Sequence, residues 1–306
     1  MCGRTGENLM SEFEKILQKN QLTVVRILSS NDRKGRVTAI CRDKRGRETF
    51  VKYNLPDMPG NVPFSNEKVI YDKMKDKYVL KHYSKDELLV LEKIDNADTA
   101  RSVLMETLQE NDVKCQESFI ISILENYKGL CLGLDKINME DLNLKKYTFR
   151  QYLFKFLGKS WLSGPEIQPI CVLPTFKNKV FRYFCQFYDM IITLTKKKQK
   201  HICHGDPHLN NFLLTENGPV CIDFEDVCLG FREVETAYIV GQIEALFWGN
   251  KNEAAMKQIL KREEKSIIKA VNGNYKLYNA IKKSISKGMI CNPRYINSDN
   301  EGFVNE

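Results

Sequence analysis

The chain has 306 residues, 42% of them hydrophobic, so it is long enough to bury a core and too apolar for a disordered protein. No run approaches the roughly 18 to 20 consecutive apolar residues that span a bilayer, and the N-terminus lacks the apolar segment of a signal peptide. We therefore predict a cytoplasmic protein with no membrane span.

Charge is distributed unevenly along the chain. The net charge of +8 indicates an acidic partner, but no RNP, zinc-finger or helix-turn-helix signature accompanies it, so nucleic-acid binding is not expected. Between Asp206 and Glu244 there are eight acidic residues, and Arg232 is the one basic residue. Such an acidic stretch suits a divalent cation, because hard cations take oxygen ligands.

The ten cysteines include no C-x-x-C pair and mostly lie in apolar surroundings, which predicts reduced thiols in the core. The alternative is a zinc site, for which the candidate ligands are Cys203, His204, His208, Cys221 and Cys228. Their spacing matches no common structural zinc template, so this alternative is disfavoured.

The first part of the chain has the pattern of a small sheet. A short helix is predicted at about 9–19, followed by strands at LTVVRIL, VTAICR and ETFVKY, and the turns between these strands contain Gly35 and Gly46. A helix follows at SNEKVIYDKMKDK, where Ser65 can cap the N-terminus and Glu67 lies in the first turn. The runs YVLKHY and ELLVLEKI complete a predicted antiparallel sheet of five strands.

Beyond Asp95 the pattern changes to helical periodicities, with the best examples at TARSVLMETLQE, YTFRQYLFKFLG and KNKVFRYFCQFYDMIITLTKK. The tail, from about residue 233 to 288, is helical again. We therefore predict an α+β fold with two lobes, 1–95 and 96–306, of which the second is larger and mainly helical.

One stretch of the second lobe, HGDPHLNNFLL followed by IDFE, carries a dense set of polar residues. Its pattern is H-x-D-x-x-x-x-N, and the turn TENG joins two apolar runs into a predicted hairpin that presents Asn211 and Asp223 from its two ends. With Lys52 on the third strand and Glu67 on the following helix, these parts stand in the order of the phosphoryl-transfer template of protein kinases.

Each of these residues has a physical role in phosphoryl transfer, which depends on positioning and on neutralising negative charge. Lys52 can bind the α and β phosphates, and Glu67 can hold Lys52 in place. Asp206 can accept the proton of the attacking hydroxyl or orient it. Asn211 and Asp223 can supply oxygen ligands to Mg²⁺.

Three further positions are predicted at the nucleotide. Gly35 lies in the turn that would cover the phosphates. The segment LEKIDN connects the lobes, so the backbone at Glu92 and Ile94 should meet the adenine edge. Asp72 is an alternative to Glu67 as the partner of Lys52.

The motifs HGDPHLNNFLL and IDFEDVCLGFREVETA resemble those of the aminoglycoside phosphotransferase and choline kinase superfamily, with high specificity over 202–237 and less upstream. The resemblance implies a protein-kinase-like fold, ATP or GTP as donor, Mg²⁺, and a hydroxyl of a small molecule as acceptor. It assigns Asp206 as the catalytic aspartate and Asn211 and Asp223 as metal ligands. It also implies that His204 supports the loop and that Glu235 braces it.

The sequence departs from the kinase pattern at two places. The nucleotide-covering turn SSNDRKGR contains the single glycine Gly35, and Glu225 stands where protein kinases have the glycine of D-F-G. The basic region 251–287 favours a neutral or anionic, sugar-like acceptor over a polycationic one. A protein kinase is disfavoured because no A-P-E segment follows, and a pseudokinase is disfavoured because Lys52 and the metal ligands are intact. The oligomeric state is left open.

Overall fold

The computed structural model describes residues 6–31, 35–55, 65–74, 78–85, 88–95, 98–110, 112–161 and 201–290. The chain divides into two compact units. Unit 1 comprises Met1–Ala97, Ile137–Asn143 and Ile222–Glu225, and unit 2 comprises Asp98–Lys136, Leu144–Cys221 and Asp226–Glu306. A single boundary after residue 95 does not describe this division, because two short later segments belong to unit 1.

Unit 1 contains a five-stranded antiparallel sheet in the order β1-β2-β3-β5-β4. Its strands are β1 Leu22–Asn31, β2 Arg36–Asp43, β3 Glu48–Asn54, β4 His82–Lys85 and β5 Leu88–Glu92. Its helices are α1 Gly6–Lys19 and α2 Ser65–Lys73. The run YVLKHY is not a strand along its whole length as predicted, because β4 begins only at its fifth residue and continues past its end.

Alternation of apolar and polar residues explains the core of unit 1. Every second residue of β2 and β3 points to the same face of the sheet, and α1 packs its apolar stripe on that face. The buried residues include Leu9, Phe13, Leu17, Val37, Ala39, Val51 and Tyr53. The turns before β2 and β3 use Gly35 and Gly46 at φ 58° and 81°, a backbone region that favours glycine.

Unit 2 is mainly helical. Its helices are α3 Ala100–Glu110, α4 Val113–Leu134, α5 Phe149–Trp161, α6 Arg232–Leu246, α7 Glu253–Ala270 and α8 Tyr275–Ile290. Its strands are β6 Lys145–Lys146, β7 His201–Cys203, β8 Phe212–Thr215, β9 Gly218–Cys221 and β10 Cys228–Gly230. They form the sheet β6-β10-β7 and the hairpin β8-β9, and the predicted helix at 177–197 lies outside the described residues.

Helix α6 is the centre of unit 2, since nearly all of its residues are buried. A helix that is enclosed on all sides can direct polar side chains at its neighbours as well as apolar ones. Its apolar residues pack with the aromatic residues of α5 and the inner face of α8. Among the described residues, no helix is both long enough and apolar enough to cross a membrane.

Candidate active site

Lys52 is the centre of a charged cluster in unit 1. Its Nζ atom lies 3.1 Å from Oε1 of Glu67 and 2.7 Å from Oδ1 of Asp223. The side chain of Glu67 is 1% exposed and that of Lys52 12%, whereas that of Asp223 is 42% exposed. Asp72, the alternative partner of Lys52, instead lies 2.7 Å from the ring of His82. The cluster therefore joins strand β3, helix α2 and the segment after β9.

Burial and charge act in opposite directions on this cluster. Burial alone would lower the pKa of Lys52, but the negative charges of Glu67 and Asp223 outweigh it, so the pKa of Lys52 lies above its ordinary value. Burial raises the pKa of Glu67, and the charge of Lys52 offsets this only in part. The ammonium is therefore held in its charged form by its two carboxylate neighbours.

Asp223 adopts a backbone conformation that is rare for a residue with a side chain. Its φ angle is +64°, in the left-handed region. The next residue, Phe224, fixes the backbone here through two contacts. Its N–H donates to Oε1 of Glu67 at 3.3 Å, and its ring packs edge-on against that of Tyr71, with 5.3 Å between the ring centroids. Conformations of this kind persist where surrounding contacts enforce them, commonly at functional sites.

Glu225 connects a second cation to this cluster. Its Oε2 atom lies 2.6 Å from Nη1 of Arg36, and its Oε1 atom lies 3.8 Å from Nζ of Lys52. Three carboxylates, those of Glu67, Asp223 and Glu225, thus share two cations. The sequence predicted no role for Glu225 beyond its departure from D-F-G, and none for Arg36.

Asp206 and Asn211 lie together in unit 2, on the loop that follows β7. The N–H of Asp206 donates to Nδ1 of His204 at 3.2 Å, and Nδ2 of Asn211 donates to the backbone carbonyl of Asp206 at 3.0 Å. The ring of His204 is fully buried. The loop is therefore closed on itself by its own polar side chains, and the amide nitrogen of Asn211 is used within it.

The glycine of H-G-D is required by the packing of this loop. Gly205 has a φ of +85°, and a Cβ atom added to it would overlap the backbone of Asp226, whose carbonyl carbon would lie at 2.6 Å. A larger residue at this position therefore needs both a strained backbone and a displaced neighbouring chain.

Glu235, on α6, accepts a hydrogen bond from the backbone of the same loop. Its Oε1 atom accepts hydrogen bonds from the N–H of Gly205 at 2.6 Å and the hydroxyl of Tyr152 at 3.0 Å. Its Oε2 atom accepts from the hydroxyl of Tyr127 at 3.1 Å and from Nη1 of Arg232 at 3.2 Å. The carboxylate is fully buried, and four donors satisfy it.

Gln242 contacts the loop in a way that the sequence did not predict. Its Oε1 atom accepts from the N–H of Leu209 at 3.1 Å, and its Nε2 atom donates to the carbonyl of Pro207 at 3.2 Å. It lies seven residues after Glu235, so both side chains leave the same face of α6. A polar residue at that spacing within an apolar helix was the available signal.

The remaining predicted residues occupy the following positions. Asn211 directly precedes the hairpin in which Phe212 pairs with Cys221, and Asp223 follows two residues after Cys221. In unit 1, the carbonyl of Gly35 accepts from the N–H of Leu55 at 2.7 Å. Glu92 ends β5, where its N–H bonds to the carbonyl of Lys81, and Ile94 follows two residues later.

The surroundings of the candidate zinc ligands disfavour the thiolate form of two of their cysteines. Cys203 and Cys228 are buried, and burial raises the pKa of both thiols, that of Cys228 to about 12. Zinc binds the thiolate, which such a site disfavours. Across the part of the chain that the structure describes, no three histidine, cysteine, aspartate or glutamate side chains are grouped as metal ligands.

Comparison with known proteins gives a family match for the segment that contains this loop. Residues 187–265 match the model of the phosphotransferase enzyme family. The predicted resemblance to the aminoglycoside phosphotransferase and choline kinase superfamily is thus confirmed. The matched segment includes Asp206, Asn211, Asp223 and Glu235. No curated protein matched the chain in a sequence comparison.

Solved structures show likeness over most of the chain. The amicoumacin kinase hAmiN, in complex with AMP-PNP, Ca²⁺ and Ami, has a TM-score of 0.51 and 11% identity over 92% of this chain and 85% of that one. A macrolide 2'-phosphotransferase type I has a TM-score of 0.48 and 12% sequence identity, over 96% of this chain and 93% of that one. Plasmodium vivax ethanolamine kinase has a TM-score of 0.47 and 14% sequence identity, over 94% of this chain and 80% of that one. The first of these shows a shared kinase-like fold.

Proposed function

We propose that this protein transfers the γ-phosphoryl group of ATP to a hydroxyl of a small, sugar-like molecule, with GTP as a possible alternative donor. The observation that carries the proposal is the position of Lys52 between Glu67 and Asp223, at 3.1 and 2.7 Å. An ammonium held by two carboxylates, one buried and one partly exposed, is the arrangement that positions nucleotide phosphates in kinases.

Asp223, the partly exposed carboxylate of the cluster, has the chemistry of a ligand for a divalent metal. Three carboxylates share two cations in unit 1, so the cluster has an excess of negative charge, and the oxygen of a carboxylate or an amide is the ligand that Mg²⁺ prefers. Asp223 and Asn211 would hold the metal; in the chain they stand directly outside the hairpin β8-β9, Asn211 one residue before Phe212 and Asp223 two residues after Cys221. When bound, the ion would neutralise charge on the transferred group. The amicoumacin kinase, whose fold this chain shares, was solved in complex with AMP-PNP and Ca²⁺, a nucleotide analogue and a divalent cation.

We assign the remaining roles on the same basis. Asp206 accepts the proton of the acceptor hydroxyl as its oxygen forms the new bond to phosphorus, while the bond between phosphorus and the leaving diphosphate breaks. Lys52 binds the α and β phosphates, and Gly35 lies in the turn over them. The backbone at Glu92 and Ile94 meets the adenine edge. We assign nucleotide binding to residues 1–95, which unit 1 extends by the segments 137–143 and 222–225, and catalysis and acceptor binding to the remainder of the chain.

The acceptor is neutral or anionic under this proposal. Helices α7 and α8 carry most of the ten basic residues of 251–287, against three acidic residues. Lys282 is turned inward, where its Nζ atom lies 2.8 Å from Glu244 and 2.9 Å from Glu264. We propose that this basic region lines the acceptor site, and a predominantly basic lining favours neutral and anionic ligands over polycationic ones.

The decisive experiment is phosphate transfer from labelled ATP with Mg²⁺ to a panel of sugars, antibiotics, amino alcohols and peptides. We expect a small-molecule hydroxyl to be phosphorylated, and Asp206→Asn to abolish turnover while nucleotide binding persists. The exposed Asp141→Asn is the matched control and should retain activity. Phosphate on peptides alone would indicate a protein kinase, and nucleotide binding without any turnover would indicate a pseudokinase.

A further inference from the structure

Arg36 lies at the edge of the proposed nucleotide site and has no role in the mechanism above. It is the first residue of β2 and directly follows Gly35, the glycine of the turn before that strand. Thr38 pairs with Lys52 across the sheet, so those two side chains share a face, and Arg36, two residues earlier, points to the same face. The sheet therefore presents two cations side by side.

Within the described ranges, only some of the N–H donors of the Arg36 guanidinium have a hydrogen-bond acceptor. Its Nη1 atom lies 2.6 Å from Oε2 of Glu225, and its side chain is 22% exposed. Its Nε atom is buried and has no hydrogen-bond partner among the described residues. A buried donor without an acceptor is costly, whereas a guanidinium can bind a phosphate through two parallel N–H groups.

Glu225 links the two cations. One of its oxygens lies 2.6 Å from Arg36 and the other 3.8 Å from Lys52, and its side chain is 30% exposed. Glu225 is thus an anionic group in contact with one cation and close to the other. A more highly charged anion, such as a triphosphate, can compete with it for both.

The turn itself explains why such a side chain is useful. A glycine-rich loop binds phosphates through several backbone N–H groups that approach closely. This turn has the single glycine Gly35, so few of its positions allow that approach. A side-chain donor at Arg36 supplies hydrogen bonds that the backbone lacks.

We propose that Arg36 is a second phosphate-binding cation of the nucleotide site and that Glu225 occupies it until phosphate replaces Glu225. This inference rests on the proposed function, because it assigns Arg36 to the same nucleotide. Binding of the nucleotide then breaks the Arg36–Glu225 ion pair and gives Arg36 two phosphate oxygens, while Lys52 keeps its position through Glu67.

The test compares dissociation constants of ATP and adenosine, with and without Mg²⁺, by calorimetry on the full chain. Arg36→Met should weaken ATP binding by at least about tenfold, because it removes a charge-assisted hydrogen bond, and should leave adenosine binding within about twofold. Glu225→Gln should tighten the binding of metal-free ATP, because it removes the competing anion.

The matched control is Arg42→Met. Arg42 lies on the same strand and on the same face, and its Nη2 atom forms a 2.7 Å ion pair with Glu48 at the exposed end of the sheet. This variant should not change either dissociation constant. Arg36→Lys, which keeps the charge, should recover part of the ATP affinity that Arg36→Met loses. Thermal unfolding of all four variants identifies any that fail to fold.

The outcomes separate the two proposals. If wild type binds ATP and Arg36→Met binds it equally well, or loses ATP and adenosine affinity alike, Arg36 is a structural residue and this inference is wrong while the proposed function stands. Weaker binding of metal-free ATP by Glu225→Gln would likewise overturn it. If wild type binds no nucleotide, both proposals fail.

Discussion

Gly205 and Asp226 are in such close contact that the Cα of Gly205 has no room for a methyl group, since a Cβ there would lie 2.6 Å from the carbonyl carbon of Asp226. The glycine of H-G-D is therefore a packing requirement of the loop that carries Asp206. Gly46 has nearly the same φ, 81° against 85°, but a Cβ there would meet nothing within 4 Å. An alanine at Gly46 would therefore meet backbone strain alone, whereas an alanine at Gly205 would meet both strain and steric overlap.

We predict that Gly205→Ala lowers the free energy of unfolding by about 2 to 5 kcal/mol, since strain and overlap add. Gly46→Ala should lower it by only about 1 to 2 kcal/mol, because it introduces strain alone. Urea denaturation of the two variants measures this difference. Equal losses would show that the loop can move away from Asp226 at little cost.

The second prediction concerns the four hydrogen bonds to Glu235. Glu235→Ala leaves the buried guanidinium of Arg232 without its closest carboxylate and should cost about 3 to 5 kcal/mol. Tyr152→Phe removes one neutral donor and should cost about 1 kcal/mol. Denaturation measures both losses, and we expect kcat to fall in each variant while nucleotide affinity is retained, because the loop lies in unit 2.

Tyr127→Phe is the control for that pair, since Tyr127 donates to the other oxygen of Glu235. It should cost as much stability as Tyr152→Phe but affect kcat less, because Oε1 is the atom that binds the N–H of Gly205. Identical kinetic effects of the two tyrosine variants would argue against a specific role of Oε1 in positioning the loop.

The third prediction is a pH dependence of stability from Glu67. Burial raises the pKa of Glu67 above 4.5, so the folded protein binds this proton more tightly than the unfolded chain. The resulting stabilisation is complete below pH 4.5 and is lost as pH rises through the folded pKa. Glu67→Gln removes this dependence, so its stability relative to wild type should increase with pH.

Urea denaturation between about pH 4 and pH 7 measures the difference between the two proteins. Glu14→Gln, at an exposed position of α1, controls for the loss of one carboxylate. A difference between Glu67→Gln and wild type that stayed constant over this range would show that the proton affinity of Glu67 does not change on folding.

The fourth prediction isolates the charge of Asp223. Asparagine tolerates positive φ, so Asp223→Asn keeps the backbone and removes the carboxylate. Wild type at a ligand concentration about a hundredfold above Kd should gain about 2.7 kcal/mol of stability from ATP with Mg²⁺. The variant should lose the part of this gain that requires Mg²⁺ and keep the part that metal-free ATP provides.

Thermal shift with ATP, with and without Mg²⁺, measures both parts. Asp226→Asn removes a carboxylate three residues later that pairs with Lys155 at 2.9 Å, and it should leave the Mg²⁺ increment unchanged. An Mg²⁺ increment that survives in Asp223→Asn would exclude Asp223 as a metal ligand.

Local sequence patterns were sufficient to predict most strands of unit 1 and some of the residues in the charged cluster around Lys52. Alternating residues and glycine turns predicted the strands β1, β2, β3 and β5, since these signals act between near neighbours in the chain. The choice between Glu67 and Asp72 was not a local one, because both lie on α2. Packing of α2 against the sheet decided it, and Glu67 is the residue that pairs with Lys52.

Periodicity and turn chemistry are properties of short segments, so the amino-acid sequence was enough to predict the fold class and the H-G-D loop. Which distant polar groups meet depends on the folded chain: Arg36 and Glu225 are separated by 189 residues, and Tyr127 and Glu235 by 108. No short-range signal encodes such pairs. They form where burial leaves a charged or polar group in need of a partner that only the folded chain can bring within hydrogen-bond distance.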